Sequence, residues 1–120
     1  MTFTKTLVRV GIPTHLQTNG EFANSLSAAG TSSQANSTLL TADVNIVTTV
    51  GATTAGCRLP DYDVGDELWI VNGGANTMLL YPPVDHYIND GAKDGAYTVG
   101  VDKAVLAKRV TATRWIVVGA

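Results

Sequence analysis

Short runs of β-branched and aromatic residues alternate with turn residues from about residue 37 to the end of the chain. Most of the twelve glycines and four prolines lie between the runs, where a positive φ or a fixed φ is needed. A spacing of about 8–12 residues between such runs is typical of a β-sandwich or barrel. The sequence therefore predicts an all-β fold, an antiparallel β-sandwich or jelly-roll-like domain, with strands over 37–41, 44–50, 57–59, 67–72, 77–81, 97–101, 103–110 and 114–118.

The first third of the chain has a different pattern. Residues 1–12 contain enough β-formers to predict a strand, which Pro13 ends, and residues 23–38 are rich in Ala, Ser, Asn and Thr. Such a stretch has little apolar side chain with which to build a core. We therefore predict an N-terminal arm and linker over 1–33 and a β-sandwich domain over 34–120, with a short helix near 21–28 as an alternative for that stretch.

Two strands are predicted to be covered on both faces. Residues 68–71 (LWIV) and 115–118 (WIVV) are continuously apolar, whereas a strand with one solvated face alternates apolar and polar residues. One face packs on the core, and a neighbouring subunit is one candidate cover for the other. Trp69, Tyr81 and Trp115 are the residues predicted for core or oligomer packing.

Charge and composition argue against several classes of partner. The formal net charge is −2, so no bulk attraction to nucleic acid or to an anionic membrane is expected. No apolar run approaches the roughly 20 residues that span a bilayer, and we expect a soluble product made without an export signal. Charged residues are only 15% of the chain and apolar residues 45%, which favours a surface partly hidden against partners.

The acidic turn at residues 61–67 (DYDVGDE) is the strongest metal candidate. Carboxylates at alternate positions can surround Ca²⁺. The turn departs from an EF-hand loop because its Gly65 comes one place early and Asn72 stands where the loop has Glu. A polar turn that leads into a strand is the preferred interpretation, and no metal or other cofactor is predicted.

No pattern for catalysis stands out, and the chain is not expected to be an enzyme. All serines lie between residues 25 and 37, and none is in a Gly-x-Ser-x-Gly elbow. Cys57 is the single cysteine, and it is expected to be a small buried hydrophobe. His15 and His86 are the two histidines, and a Cys57–His86 centre remains as the alternative for an enzyme.

The aromatic residues have two interpretations. They can form a platform on which sugars stack, or they can be core and interface anchors. Most of them lie inside or beside apolar runs, which favours the second interpretation. The residues concerned are Trp69, Trp115, Tyr62, Tyr81, Tyr87 and Tyr97.

The chain resembles a β module of tailed-bacteriophage structural proteins over residues 34–117. The likeness is carried by QANSTLLTADVN at 34–45, RLP at 58–60, VGD at 64–66, VNGGAN at 71–76 and YP at 81–82. Ile88-Asn89 with Gly91, and Thr113-Arg114-Trp115, continue it. These are turn-and-strand patterns, and such modules occur in head decoration (cement) proteins, in head fibres and in tail-associated proteins.

The resemblance implies a function and partners. It implies a homotrimeric cement protein on the outer capsid surface of a virion, made in the host cytoplasm, with the major capsid protein as its partner. The alternative is a tail fibre, spike or receptor-binding module that binds glycans. In the first case the arm contacts the capsid, through the apolar residues Phe3, Leu7, Val8, Val10 and Ile12.

Overall fold

Ten strands and no helix make up the part of the chain that the computed structural model describes, residues 21–30 and 33–119. The predicted all-β class is confirmed. The strands are β1 (Phe22–Ser27), β2 (Thr38–Leu39), β3 (Val44–Thr49), β4 (Gly56–Arg58), β5 (Glu67–Asn72), β6 (Met78–Tyr81), β7 (Tyr87–Ile88), β8 (Tyr97–Val99), β9 (Lys103–Arg109) and β10 (Arg114–Gly119).

The strands form two sheets. The six-stranded sheet has the order β1-β3-β5-β9-β10-β7, and the four-stranded sheet has the order β2-β4-β6-β8. Strands β1 to β6 alternate between the two sheets, so each consecutive pair makes one turn of a coil. Within each sheet the successive strands of the coil are parallel. This winding resembles a short β-solenoid.

Antiparallel strands close the coil at its C-terminal side. Strand β8 adds to β6 in the four-stranded sheet, and β9 adds to β5 in the six-stranded sheet. Strand β10 pairs with β9 through a four-residue connection, and β7 pairs with β10 in parallel at the sheet edge.

The prediction of an antiparallel sandwich or jelly-roll therefore needs correction in its topology. Antiparallel pairing among the described strands is confined to β5–β9, β9–β10 and β6–β8. The run spacing predicted most of the strands, but it carried no information on which strands are neighbours in a sheet. The connections that leave β1 to β5 lead to the other sheet, whereas an antiparallel hairpin would return the chain to the same one.

Strand β1 lies within the segment assigned to the arm and linker, and the helix suggested near 21–28 is wrong. Its residues pair with β3, from Phe22 opposite Val44 to Ser27 opposite Thr49. The register shifts between Ala23 and Leu26, and Ser25 has a φ of 62°. Pairing with a preformed sheet has overridden the weak local preference of this polar stretch.

The core lies between the two sheets. The ring of Trp115 lies in it, surrounded by aliphatic side chains that alternate along the strands with outward-facing ones. Leu26 and Tyr97 pack against it. Its largest fully buried apolar side chains are Trp115, Leu40, Leu59, Leu68, Ile70, Met78, Leu80, Val47, Val99 and Val105.

Two fully buried asparagines hold irregular backbone at the ends of β3 and β5. The amide nitrogen of Asn72 donates to the carbonyls of Asn76 and Val99, at 3.0 and 3.1 Å, and its oxygen accepts from the Gly74 amide at 3.0 Å. A Cβ at Gly74 would lie 2.6 Å from Cγ2 of Val50, so the turn that Asn72 holds packs too closely for a side chain there.

Asn45 does the same at the start of β3. Its amide nitrogen donates to the carbonyls of Ala42 and Trp69, and its oxygen accepts from the Ala42 amide. Buried backbone N–H and C=O groups must be hydrogen-bonded. The side chains of Asn45 and Asn72 form these bonds where the β-ladders do not. Neither residue was singled out from the sequence.

A candidate assembly surface

A row of apolar side chains crosses the outer face of the six-stranded sheet. Each of five adjacent strands contributes one apolar residue, and the strand register places each of these residues directly opposite the one on the neighbouring strand. At about 4.8 Å between strands the row is roughly 19 Å long. We call it the apolar row: Phe22, Val44, Trp69, Leu106 and Val118.

Much of this row is exposed in the single chain. Phe22 is 63% exposed, Val118 is 53% and Trp69 is 47%, while Val44 and Leu106 are half-buried. Scattered exposed apolar residues are ordinary on protein surfaces. A contiguous set in register, with a tryptophan at its centre, is the kind of patch that marks a contact surface.

The residues beside the row differ on its two sides. On one side the neighbouring positions are also apolar: Ile46, Val71 and Ala104 share a register line. On the other side lie Glu67 and Lys108, which form an ion pair at 3.8 Å. We call the apolar row together with Ile46, Val71 and Ala104 the apolar face.

The continuous apolar runs explain how this face arises. In β5 the residues Leu68 and Ile70 point into the core, and Trp69 and Val71, which alternate with them, point outward. The same holds in β10, where Trp115 and Val117 are buried and Ile116 and Val118 are not. The described part of the chain thus covers one face of these strands and leaves the other uncovered.

The three residues predicted for core or oligomer packing lie in different places. Trp115 is fully buried, Tyr81 is 8% exposed, and Trp69 stands on the outer face. Val118 belongs to the run 115–118, which the sequence predicted to be covered on both faces, whereas Phe22, Val44 and Leu106 were not singled out. The alternation of inward and outward side chains along a strand could have predicted that these residues point outward. It cannot show which strands are neighbours in the sheet. The predicted capsid-binding residues lie outside the described residues: Phe3, Leu7, Val8, Val10 and Ile12.

The acidic turn is held together by contacts within the chain. Asp61 Oδ1 accepts from the Arg109 guanidinium at 3.0 Å, and the Asp66 carboxylate accepts from the Asp63 amide at 3.1 Å. Within 21–30 and 33–119, no group of three or more His, Cys, Asp or Glu side chains is placed to hold a metal ion.

Cys57 and His86 are each engaged with other residues. The Cys57 thiol is buried beside Met78, 3.6 Å from its sulfur, and this burial raises the thiol pKa to about 12. A thiolate nucleophile is therefore disfavoured at neutral pH. His86 accepts a hydrogen bond at Nδ1 from the indole nitrogen of Trp115, at 3.2 Å.

The aromatic side chains considered for sugar stacking are mostly covered. Tyr97 packs on the core, and the Arg114 guanidinium lies over the Tyr87 ring, 4.8 Å from its centroid. The Tyr62 hydroxyl donates to the Thr41 carbonyl. Of the candidates, Trp69 presents the most open ring in the described part of the chain.

The His86 contact predicts a pH dependence of stability. Burial lowers the pKa of His86, with the Arg109 charge as a second cause, and the proton-free Nδ1 is needed to accept from Trp115. The unfolded chain takes up the proton near pH 6.5 and the folded chain at lower pH. This contribution to stability is therefore present above about pH 6.5 and is lost as the pH falls through the folded pKa.

We expect the melting temperature to fall by a few degrees when the pH is lowered from 7 towards 5. The His86→Gln variant keeps an acceptor for the indole but does not titrate, so its melting temperature should change less over the same range. Thermal unfolding followed by circular dichroism measures both. Equal slopes for the two proteins would assign the dependence to other groups.

Comparisons with protein families, curated proteins and solved structures found no match. In the described residues, no helix is long and apolar enough to cross a membrane.

Proposed function

We propose that this chain is a structural protein of a tailed-phage virion, a homotrimeric decoration protein that binds the outer capsid surface and stabilises the head. The apolar face is the observation that carries the assembly role, because a contiguous exposed apolar patch is typical of a surface that contacts another molecule, and covering it removes apolar area from water. The phage setting is supported by the sequence resemblance over residues 34–117.

The contacts within the body fit such a role. A decoration protein needs a rigid body and contact surfaces, and it needs no pocket or reacting group. The core side chains interdigitate between two sheets, and buried asparagines fix the turns beside them. Several weak contacts joined in one oligomer then gain strength through their effective concentration.

In this proposal the shell is contacted by the N-terminal arm. An extended arm can add to an exposed sheet edge of a capsid subunit, where main-chain hydrogen bonds supply affinity. Phe3, Leu7, Val8, Val10 and Ile12 would supply the apolar contacts. These five residues precede β1, which is an edge strand of the six-stranded sheet.

Binding to emptied heads of the encoding phage tests the proposal. We expect the full-length chain to co-sediment with heads in hundreds of copies, and the variant Val8→Ser with Val10→Ser to lose at least about tenfold in affinity, as truncating two interface anchors does. Thr4→Ser with Thr6→Ser, in the same segment, is the matched control and should bind as the unchanged chain does.

Two results would contradict the proposal. One is unchanged binding of the Val8→Ser, Val10→Ser variant, which would show that the arm is not the part of the chain that contacts the capsid. The other is a copy number of a handful per virion, which would place the protein in the tail and favour a fibre or receptor-binding role.

A further inference from the structure

We infer that the apolar face is covered by copies of this same chain, so that it is the self-association surface and not the surface that meets the shell. The inference rests on the proposed function for the expectation of an assembly, and it names the partner of one particular surface. Three observations lead to it: the size of the face, the ion pair that borders it, and the position of Trp69.

The size of the face fits the apolar core of a protein interface. Five strands give it a length of roughly 19 Å, and its two register lines are about 6.6 Å apart along the strands. With side chains that reach about 3 Å beyond this outline on every side, it offers on the order of 300–400 Å² of apolar surface per copy. A standard interface buries about 800 Å² per partner, so the face supplies about half and the polar rim the rest.

The charges at the rim favour an identical partner. Glu67 and Lys108 border the apolar row and are paired with each other within the chain, at 3.8 Å. A second copy that packs on this face therefore brings the same pair already neutralised, and neither Glu67 nor Lys108 requires a countercharge from the other copy. It also brings an apolar row of equal length.

Trp69 lies where interface energy usually concentrates. It is the third of the five residues of the row, on the central strand β5, with Val44 and Leu106 directly beside it in register. Interface hot spots are enriched in tryptophan and lie near the centre of a patch, surrounded by contacts that exclude water. The ring is 47% exposed in the single chain, so covering it removes a large apolar area from water.

Sedimentation equilibrium of the purified full-length chain tests the inference, without any heads. Between about 1 and about 200 µM we expect oligomers of the unchanged chain, and for Trp69→Ser an association at least about 30-fold weaker, the loss typical of a hot spot. Val84→Ser is the matched control, because Val84 is 63% exposed and is not part of the apolar face. It should assemble as the unchanged chain does.

Acrylamide quenching of tryptophan fluorescence provides a second readout that does not depend on a disruptive variant. Trp115 is fully buried, so dilution of the oligomer should expose Trp69 alone and increase quenching. The Trp69→Phe variant retains only Trp115, and its quenching should not change with concentration.

The outcomes separate this inference from the proposed function. A monomer at about 200 µM, or a Trp69→Ser protein that assembles with unchanged affinity, would overturn the inference, and neither result concerns heads. A monomer in which Trp69 is shielded at every concentration would also overturn it and would show that the cover belongs to the same chain. Assembly that depends on Trp69, in a protein that does not bind heads, supports the inference and rejects the decoration role.

Discussion

Replacement of Trp115 by Ala should lower the free energy of unfolding by about 3–5 kcal/mol, as expected when a large aromatic ring is removed from a core. The ring is fully buried. It belongs to β10, whose backbone pairs with β9 on one side and with β7 on the other. A domain of this size is typically stable by about 5–15 kcal/mol, so the loss is a large fraction of the total stability.

Urea unfolding measures this loss, and Trp115→Phe is the matched control. Phenylalanine keeps most of the apolar volume but has no N–H, so His86 Nδ1 loses its donor. We expect a smaller loss, of about 1–2 kcal/mol. A Trp115→Ala protein that loses less than about 1 kcal/mol would show that the space between the sheets is not packed around this ring.

Asn72→Ala should cost about 3 kcal/mol or more, although it removes few atoms. Three backbone groups lose their partners at once: the amide of Gly74 and the carbonyls of Asn76 and Val99. Each unsatisfied buried group costs about 1–3 kcal/mol. Asn36→Ala, at an exposed site, should change stability by less than about 0.5 kcal/mol and serves as the control in urea unfolding.

Asn72→Asp tests the same network through pH. The substitution keeps the shape but aims a carboxylate at two carbonyl oxygens in a buried site, which favours the protonated acid in the folded state. The folded chain then holds the proton to higher pH than the unfolded chain. The stability deficit relative to the unchanged chain should therefore be largest at neutral pH and shrink towards pH 4. A deficit that does not depend on pH would place this side chain in contact with water.

The positions of most strands could be predicted from the sequence, because burial and turn chemistry are local. The run at 67–72 coincides with β5, and the run at 44–50 differs from β3 by one residue. Strand β7 was missed because its two residues lie between turn residues in the stretch 82–91. Strand β1 was missed because its pairing with β3, and not its own composition, makes it a strand.

The winding of the chain could not be predicted in the same way. Whether a connection returns to the same sheet or crosses to the other depends on which apolar faces meet in space, and an apolar run such as 68–71 is compatible with either. The apolar row has the same origin: Val44, Trp69 and Leu106 are far apart in sequence and become neighbours only through the register of β3, β5 and β9.

The two buried asparagines show a second limit. Asn45 and Asn72 lie in strands whose other residues suggested burial, but an asparagine beside a turn is ordinarily solvated. Their role depends on carbonyls contributed by residues distant in sequence, such as Trp69 for Asn45 and Val99 for Asn72. Local reasoning therefore underestimates how strongly these positions are constrained.

The irregular pairing of β1 has a consequence for how copies of the chain accumulate. A straight, fully regular edge strand would allow one molecule after another to join end to end and grow into fibrils. Here the register breaks after Ala23, and Ser25 turns its peptide out of the extended conformation. Addition of further strands along this edge is therefore hindered, and unlimited polymerisation through β1 is disfavoured.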